Sequence, residues 1–296
     1  MVKLLTGRRS CWRTREQKGM SSANASGDLS SEMEVDAFRC LLPLCFHERH
    51  LLESIALMPG NLGKLEIQLL LLVRAVVYAD GSALAKIGCT TKLAAIKMEV
   101  MTPATESPLE GCIGTGSPVD TAPVILKQLC DTILSSSMIN FKELSLVSGK
   151  AAWMAYLEIY CLDVDGALFN AALLAAVAAF SHWIPVVSLN DDGRVVVVSE
   201  EDGGKLKYEP VNKGKRKLKL SSVPFCLTCI LHKNDILADP TAEKESIMET
   251  LVIVVLDSSF QLVSLYKPSG SVLAYTSAIY VCFHFFKSTF WCEMKF

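Results

Sequence analysis

The apolar positions of this chain fall into short runs broken by turn residues, and the period within each run assigns it to strand or helix. Residues 65–78, 82–88 and 92–100 read as three strands. Ala79-Asp80-Gly81 and Gly88-Cys89-Thr90 join them, and connections this tight predict an antiparallel meander. A further strand is predicted from Trp153 to Leu162, an apolar, aromatic run too short for the helix period to show, with others near 186–189, 225–231, 251–256 and 262–266. Helices are predicted over 122–138 and over about 167–181, the second rich in alanine, the best helix former. Ser31 and Glu34 form an S-x-x-E capping box, which predicts a helix running toward Ile55 with an interruption near Pro43. Strands and helices mixed in this order, with hairpins and one or two crossovers, predict an α+β domain of two layers.

The junction most suggestive of chemistry is Leu162-Asp163-Val164-Asp165-Gly166. Asp163 and Asp165 stand two apart, which on a strand turns both carboxylates to one side. Asp165-Gly166 then leads into the alanine-rich helix. A carboxylate at a strand end beside a helix N-terminus is a common place for catalysis or anion binding.

These residues, continued by Ala167-Leu168-Phe169, resemble the L-Q-A-D-G-G-T-R stretch of the RNase PH-like subunits of the RNA exosome. In active members of that family, which remove nucleotides from RNA 3′ ends with phosphate, the aspartate takes part in catalysis. Asp165 and Gly166 match, whereas Ala167 replaces the second glycine and Leu168-Phe169 replaces the Thr-Arg pair. Active relatives also open a helix with G-R-T-x-E-I-Q, whose arginine binds phosphate. Here the chain reads Gly116-Ser117-Pro118, with Ser117 at the arginine position. A site that has lost two guanidinium groups and gained a phenyl ring is poorly built to grip phosphate or a polyanion.

The resemblance continues through Asp36-Ala37-Phe38-Arg39, Asp80-Gly81-Ser82-Ala83-Leu84, Lys97-Met98-Glu99-Val100, Leu237-Ala238-Asp239-Pro240-Thr241 and Leu265-Tyr266-Lys267-Pro268, and it is to the non-catalytic eukaryotic subunits. It implies an α+β, two-layer RNase PH-like fold (ribosomal protein S5 domain 2-like) with a mixed sheet and packed helices. It also implies a ring subunit without catalytic residues, Asp163 and Asp165 being vestigial. Such a subunit scaffolds the ring and threads RNA for 3′–5′ processing and decay, ribosomal RNA maturation included. The implied partners are other RNase PH-like subunits, cap subunits and RNA; the implied locations are nucleus, nucleolus and cytoplasm. Two rivals stay open: an active phosphorolytic 3′–5′ exoribonuclease using Asp165, and a splice or gene-model variant that does not assemble. The second is suggested by departures from the family near Ala56, Gly114 and Tyr280. The segment from Gly111 to Ser117 is shorter than in relatives, and a missing strand there would leave its neighbours exposed.

Composition narrows the chemistry. At 296 residues and 51% hydrophobic, the chain is long enough for a sizeable core. Its formal net charge of −2 excludes a global polycation, so any RNA contact is local. The 11 cysteines are scattered unevenly, which favours free thiols in a reducing compartment. Cys226-x-x-Cys229 has no second ligand pair and reads as strand, with its two thiols on opposite faces. His47 and His50 lack the pattern of a metalloprotease helix. No metal, cofactor or membrane span is expected.

The local basic patch is Lys213, Lys215, Arg216, Lys217 and Lys219. It reads either as an RNA-backbone or nuclear-localisation contact or as a solvated edge strand guarded by lysines. Residues 1–28 read as a basic, Ser-rich extension that imitates a transit peptide, and 29–270 as the RNase PH-like body. Residues 271–296 begin like the family's last helix and turn into a divergent aromatic tail, a second candidate partner surface.

Overall fold

Hairpins build the first half of the molecule. The structure, a computed structural model, describes residues 25–46, 49, 69–115, 123–181, 183–184, 187–189, 195–197, 216–232, 235–247 and 250–269. Helix α1 (Ala25–Leu41) starts upstream of the Ser31–Glu34 pair, which therefore lies inside the helix and does not cap it. The expected interruption is present: the helix breaks at Leu42 and resumes at Pro43, the position where proline is tolerated.

Strands β1 (Leu69–Val73), β2 (Gly81–Ile87) and β3 (Thr90–Met101) form the antiparallel meander. β1 ends at Val73 because Arg74 takes a left-handed conformation (φ 63°), which stops the ladder short of Tyr78. β4 (Cys112–Thr115) follows, then α2 (Pro123–Ser135), β5 (Ser145–Val147) and the long β6 (Ala151–Asp163). The sheet order is β1-β2-β3-β6-β4, with β5 paired to the start of β6. β3 and β6 are antiparallel, whereas β4 lies parallel to Met154–Leu157, so the sheet is mixed as expected. The short segment after Gly111 does not leave β6 bare, because β4 covers that edge of it.

Helix α3 (Leu168–Phe180) follows β6 and is apolar on nearly every side, so it is stable only when enclosed. It packs on β2 and β3 through its alanines against Ala83, Ala85 and Ala94, small side chains that allow a close approach. After β7 (Trp183–Ile184), β8 (Val187–Leu189), β9 (Val195–Val197) and β10 (Arg216–Lys217) come β11 (Phe225–His232), β12 (Asp235–Ala238), α4 (Ala242–Ile247), β13 (Thr250–Leu256) and β14 (Leu262–Ser269). Short ladders pair β7 with β10 and β8 with β9. The sheet β12-β11-β13-β14 lies on the other side of α3, adding a layer to the two expected.

One core joins both sheets to α2 and α3, with Trp153, Leu129, Ile133, Leu157, Leu173 and Val255 among its buried members. Burial of each such side chain contributes about 1.5–3 kcal/mol. Cys226 packs on this core and Cys229 in a second cluster with Leu227, Val254 and Phe260, so the two thiols lie on opposite faces of β11. Among the described residues no helix is long and apolar enough to cross a membrane.

Candidate functional site

Asp165 lies in the bend between β6 and α3, and the strand ends before reaching it. β6 stops at Asp163, whose Cα partner is Thr91, and the alternation that would place both carboxylates on one face does not extend to Asp165. Asp163 is exposed and Asp165 is half-buried. The bend is held from upstream by Thr90, whose Oγ1 accepts a hydrogen bond from the Asp165 amide at 2.9 Å and donates to the Gly166 carbonyl at 2.8 Å. Nothing in the sequence signals this contact, because 75 residues separate its partners.

Two consecutive residues make the turn in left-handed conformations, Gly166 (φ 78°) and Ala167 (φ 45°). At Gly166 no side chain fits: a Cβ there would fall on the Pro240 carbonyl oxygen. At Ala167 a methyl group fits but is strained, at a cost of about 1–2 kcal/mol. Alanine here therefore holds a backbone conformation that glycine would adopt without strain.

The carboxylates at the bend face the protein itself. Asp165 Oδ1 accepts a hydrogen bond from the Ala242 amide (3.2 Å), at the first residue of α4. Glu245, within α4, accepts one from the Ala167 amide (2.7 Å), immediately before α3. Each carboxylate thus occupies the N-terminal end of the other's helix, where free amides and the helix dipole favour negative charge. Asp239 completes the group in a left-handed conformation (φ 50°), its amide bonded to the Thr228 carbonyl at 2.9 Å. Burial raises the Asp239 carboxyl above its ordinary value, and the charge of Asp165 adds to the rise. Burial also raises Glu245, helped by Asp165 and Asp239 and opposed by the Ala167 amide.

The two residues after Ala167 belong to packing. Phe169 is buried, with its ring 5.7 Å from that of Tyr266 on β14. The Tyr266 hydroxyl donates to the Gln128 carbonyl of α2 (3.0 Å) and lies 3.0 Å from Thr132 Oγ1. Asn170, one residue further, accepts from Thr228 Oγ1 at 2.8 Å and Cys226 Sγ at 3.2 Å. Outside the bend, Arg39 of α1 makes a two-pronged ion pair with Glu243 of α4, Nε standing 2.9 and 3.0 Å from the carboxylate oxygens.

Lys213, Lys215 and Ser117 lie outside the described residues, as do His47 and His50. Arg216 and Lys217 form β10; Lys217 and Lys219 are exposed and Leu218 between them is buried. The Lys219 amide donates to Glu143 Oε2 at 3.3 Å. The described part of the basic run pairs with β7 and bonds Glu143, partners that the bend does not use. Sequence reasoning missed Thr90, Asp239, Glu245 and helix α4. A signal for α4 was present in Pro240-Thr241 followed by Glu243 and Glu245, a capping residue ahead of an acidic first turn.

A mixed sheet and a second sheet enclosing an alanine-rich helix, with an aspartate at the strand-to-helix bend, define an RNase PH-like protein. Family models agree: the 3′ exoribonuclease family, domain 1, matches residues 73–183, and domain 2 of the same family matches residues 222–278. The exosome complex component Rrp42 of Methanopyrus kandleri is 30% identical over 204 residues, covering 64% of this chain and 71% of its own length. The exosome complex component rrp43 of Schizosaccharomyces pombe is 29% identical over 209 residues, covering 65% and 73%. This chain belongs to the 3′ exoribonuclease (RNase PH) family. Among solved structures, an archaeal exosome core chain superposes with a TM-score of 0.63 at 21% identity, covering 86% of this chain and 94% of that one. A chain of the Archaeoglobus fulgidus exosome with RNA bound to the active site gives 0.61 at 22% identity, covering 74% and 83%. Both show the same fold.

Proposed function

We propose that this chain is a non-catalytic ring subunit of the RNA exosome, contributing scaffold and channel wall for 3′–5′ RNA processing and decay. Its relatives are named as exosome components, which supports the assembly. The observation that carries the absence of chemistry is the bend at 165–169. Asp165 and Glu245 are engaged with each other's helix ends, so the amide at the start of α3 already holds a carboxylate. Phe169, at the position of the family's arginine, is buried against Tyr266. Phosphoryl chemistry needs preorganised cations around the transferring group, and the described residues of the bend supply carboxylates.

The partners in this reading are other RNase PH-like subunits, cap subunits and RNA, in nucleus, nucleolus and cytoplasm. RNA is contacted through the basic run from Lys213 to Lys219, whose exposed lysines at 217 and 219 alternate with a buried leucine. The RNase PH-like body spans 29–270, between an N-terminal extension and a C-terminal tail.

Co-expression with RNase PH-like partners tests the assembly, read by size-exclusion chromatography with light scattering. A defined hetero-oligomer is expected. A monodisperse monomer that ignores those partners would contradict the reading, and aggregation with and without them would favour a variant that does not assemble.

A further inference from the structure

Among the described residues, Lys92 is the buried charge that neither the bend nor the basic run uses. It lies on β3 directly opposite Cys161 on β6, next to the register irregularity between Thr91 and Lys92. Its side chain is 6% exposed and that of Cys161 4% exposed. The Lys92 Nζ stands 2.8 Å from Cys161 Sγ, and among the described residues that sulfur is its one hydrogen-bond partner. Among the same residues the thiol has a single further contact, at 3.9 Å to the Asp163 carbonyl. A buried lysine usually finds a carboxylate or several oxygen acceptors, because burying an ammonium is otherwise expensive. Here it meets only a thiol, a weak acceptor.

We propose that Lys92 and Cys161 are an oxidation site at which a single oxygen atom becomes inserted between nitrogen and sulfur, covalently tying β3 to β6. The separation is the length of a hydrogen bond to oxygen, although sulfur is the larger atom. A one-atom bridge therefore needs almost no movement of either strand, whereas a direct sulfur–nitrogen bond would have to draw the strands together. The amine donates to the sulfur across the contact, so the two atoms to be joined are already aligned.

Dioxygen balances the step. Thiol, amine and one dioxygen give the S–O–N link and one water. Sulfur and nitrogen each lose a hydrogen and two electrons, and dioxygen takes up the four. One of its oxygen atoms stays in the bridge and the other leaves as water. Four thiols of an external reductant reverse the step, giving two disulfides, one water and the original side chains. Burial restricts the oxidant to a small one and holds the amine in place to capture the oxidised sulfur before it climbs further up the oxidation ladder. Two other described thiols have different surroundings: the half-buried Cys226 donates to Asn170, and the buried Cys229 packs in an apolar cluster.

The link would fasten the strand ends that carry the bend, since Thr90 holds Asp165 and Gly166 and Thr91 pairs with Asp163. The test is peptide mapping of the full-length chain after exposure to air-saturated buffer and to hydrogen peroxide, without reductant. The expected product joins the peptides carrying Lys92 and Cys161, heavier than their sum by one oxygen less two hydrogens. Dithiothreitol should return the free peptides. Lys92→Arg, which keeps the charge and removes the primary amine, should abolish the product while the wild-type map supplies the reference. Three results would overturn the proposal: a link lighter than the sum by two hydrogens, Cys161 oxidised with Lys92 left free, or Cys161 unmodified when the exposed Cys40 and Cys45 are oxidised.

Discussion

Glu245 accepts a hydrogen bond from the Ala167 amide at 2.7 Å, and Asp165, two residues before Ala167, accepts one from the Ala242 amide inside Glu245's own helix. The exchange fastens the segment matched by the first family domain to the segment matched by the second. Glu245→Ala should lower stability by about 1–2 kcal/mol, and Glu245→Gln by less because its carbonyl still accepts. Combined with Asp165→Ala, the loss should depart from additivity by at least about 0.5 kcal/mol in urea denaturation. Strict additivity would mean that the two bonds act independently.

Gly166 and Ala167 should respond in opposite directions. Gly166→Ala drives a methyl group into the Pro240 carbonyl and should destabilise the chain by more than about 2 kcal/mol. Ala167→Gly relieves a left-handed alanine and should stabilise it by roughly 0.5–1 kcal/mol. Thermal unfolding of the two variants beside the parent chain reads both signs.

The acidic group sets a pH dependence. Asp239 and Glu245 hold their protons more tightly in the folded chain than in the unfolded one, each facing Asp165, with Cys226 also near Asp239. The stabilisation from the protonated forms is therefore complete below the ordinary carboxylate range and is lost as pH rises through the raised folded values. Asp239→Asn should flatten this decline and leave the chain more stable than the parent at about pH 8. Urea midpoints across the interval check it, and a parallel decline in the variant would place the dependence elsewhere.

The meander, the long strand β6 and helix α3 were legible because each is set by local pattern: Asp80-Gly81 and Gly88 at the turns, aromatic content in β6, alanine in α3. The strand-to-helix bend was legible as a place but not as a geometry. Pattern alone puts Asp163 and Asp165 on one face, and the end of β6 at Asp163 separates them. The contacts that decide what the bend does, with Thr90, Ala242 and Glu245, span 75, 77 and 78 residues, and no local period encodes them. The second sheet on the far side of α3 could be inferred only from the helix being apolar all round.

The basic run carries its own prediction. If it meets RNA phosphates in the assembled ring, replacing Lys215, Arg216 and Lys217 with alanine should weaken binding. The slope of log affinity against log salt should become shallower by about 0.7 for each phosphate no longer neutralised. An unchanged slope would leave the run as a solvated strand.

The central claim is that Asp165 has exchanged chemistry for structure. It is tested most directly by incubating the purified chain, alone and in its reconstituted ring, with single-stranded RNA and inorganic phosphate and measuring nucleoside diphosphate release. The account predicts that Asp165→Asn in this subunit leaves any release by the ring unchanged and that the chain alone yields none. Phosphate-dependent release by the chain alone that disappears in Asp165→Asn, with the folded state intact, would contradict it.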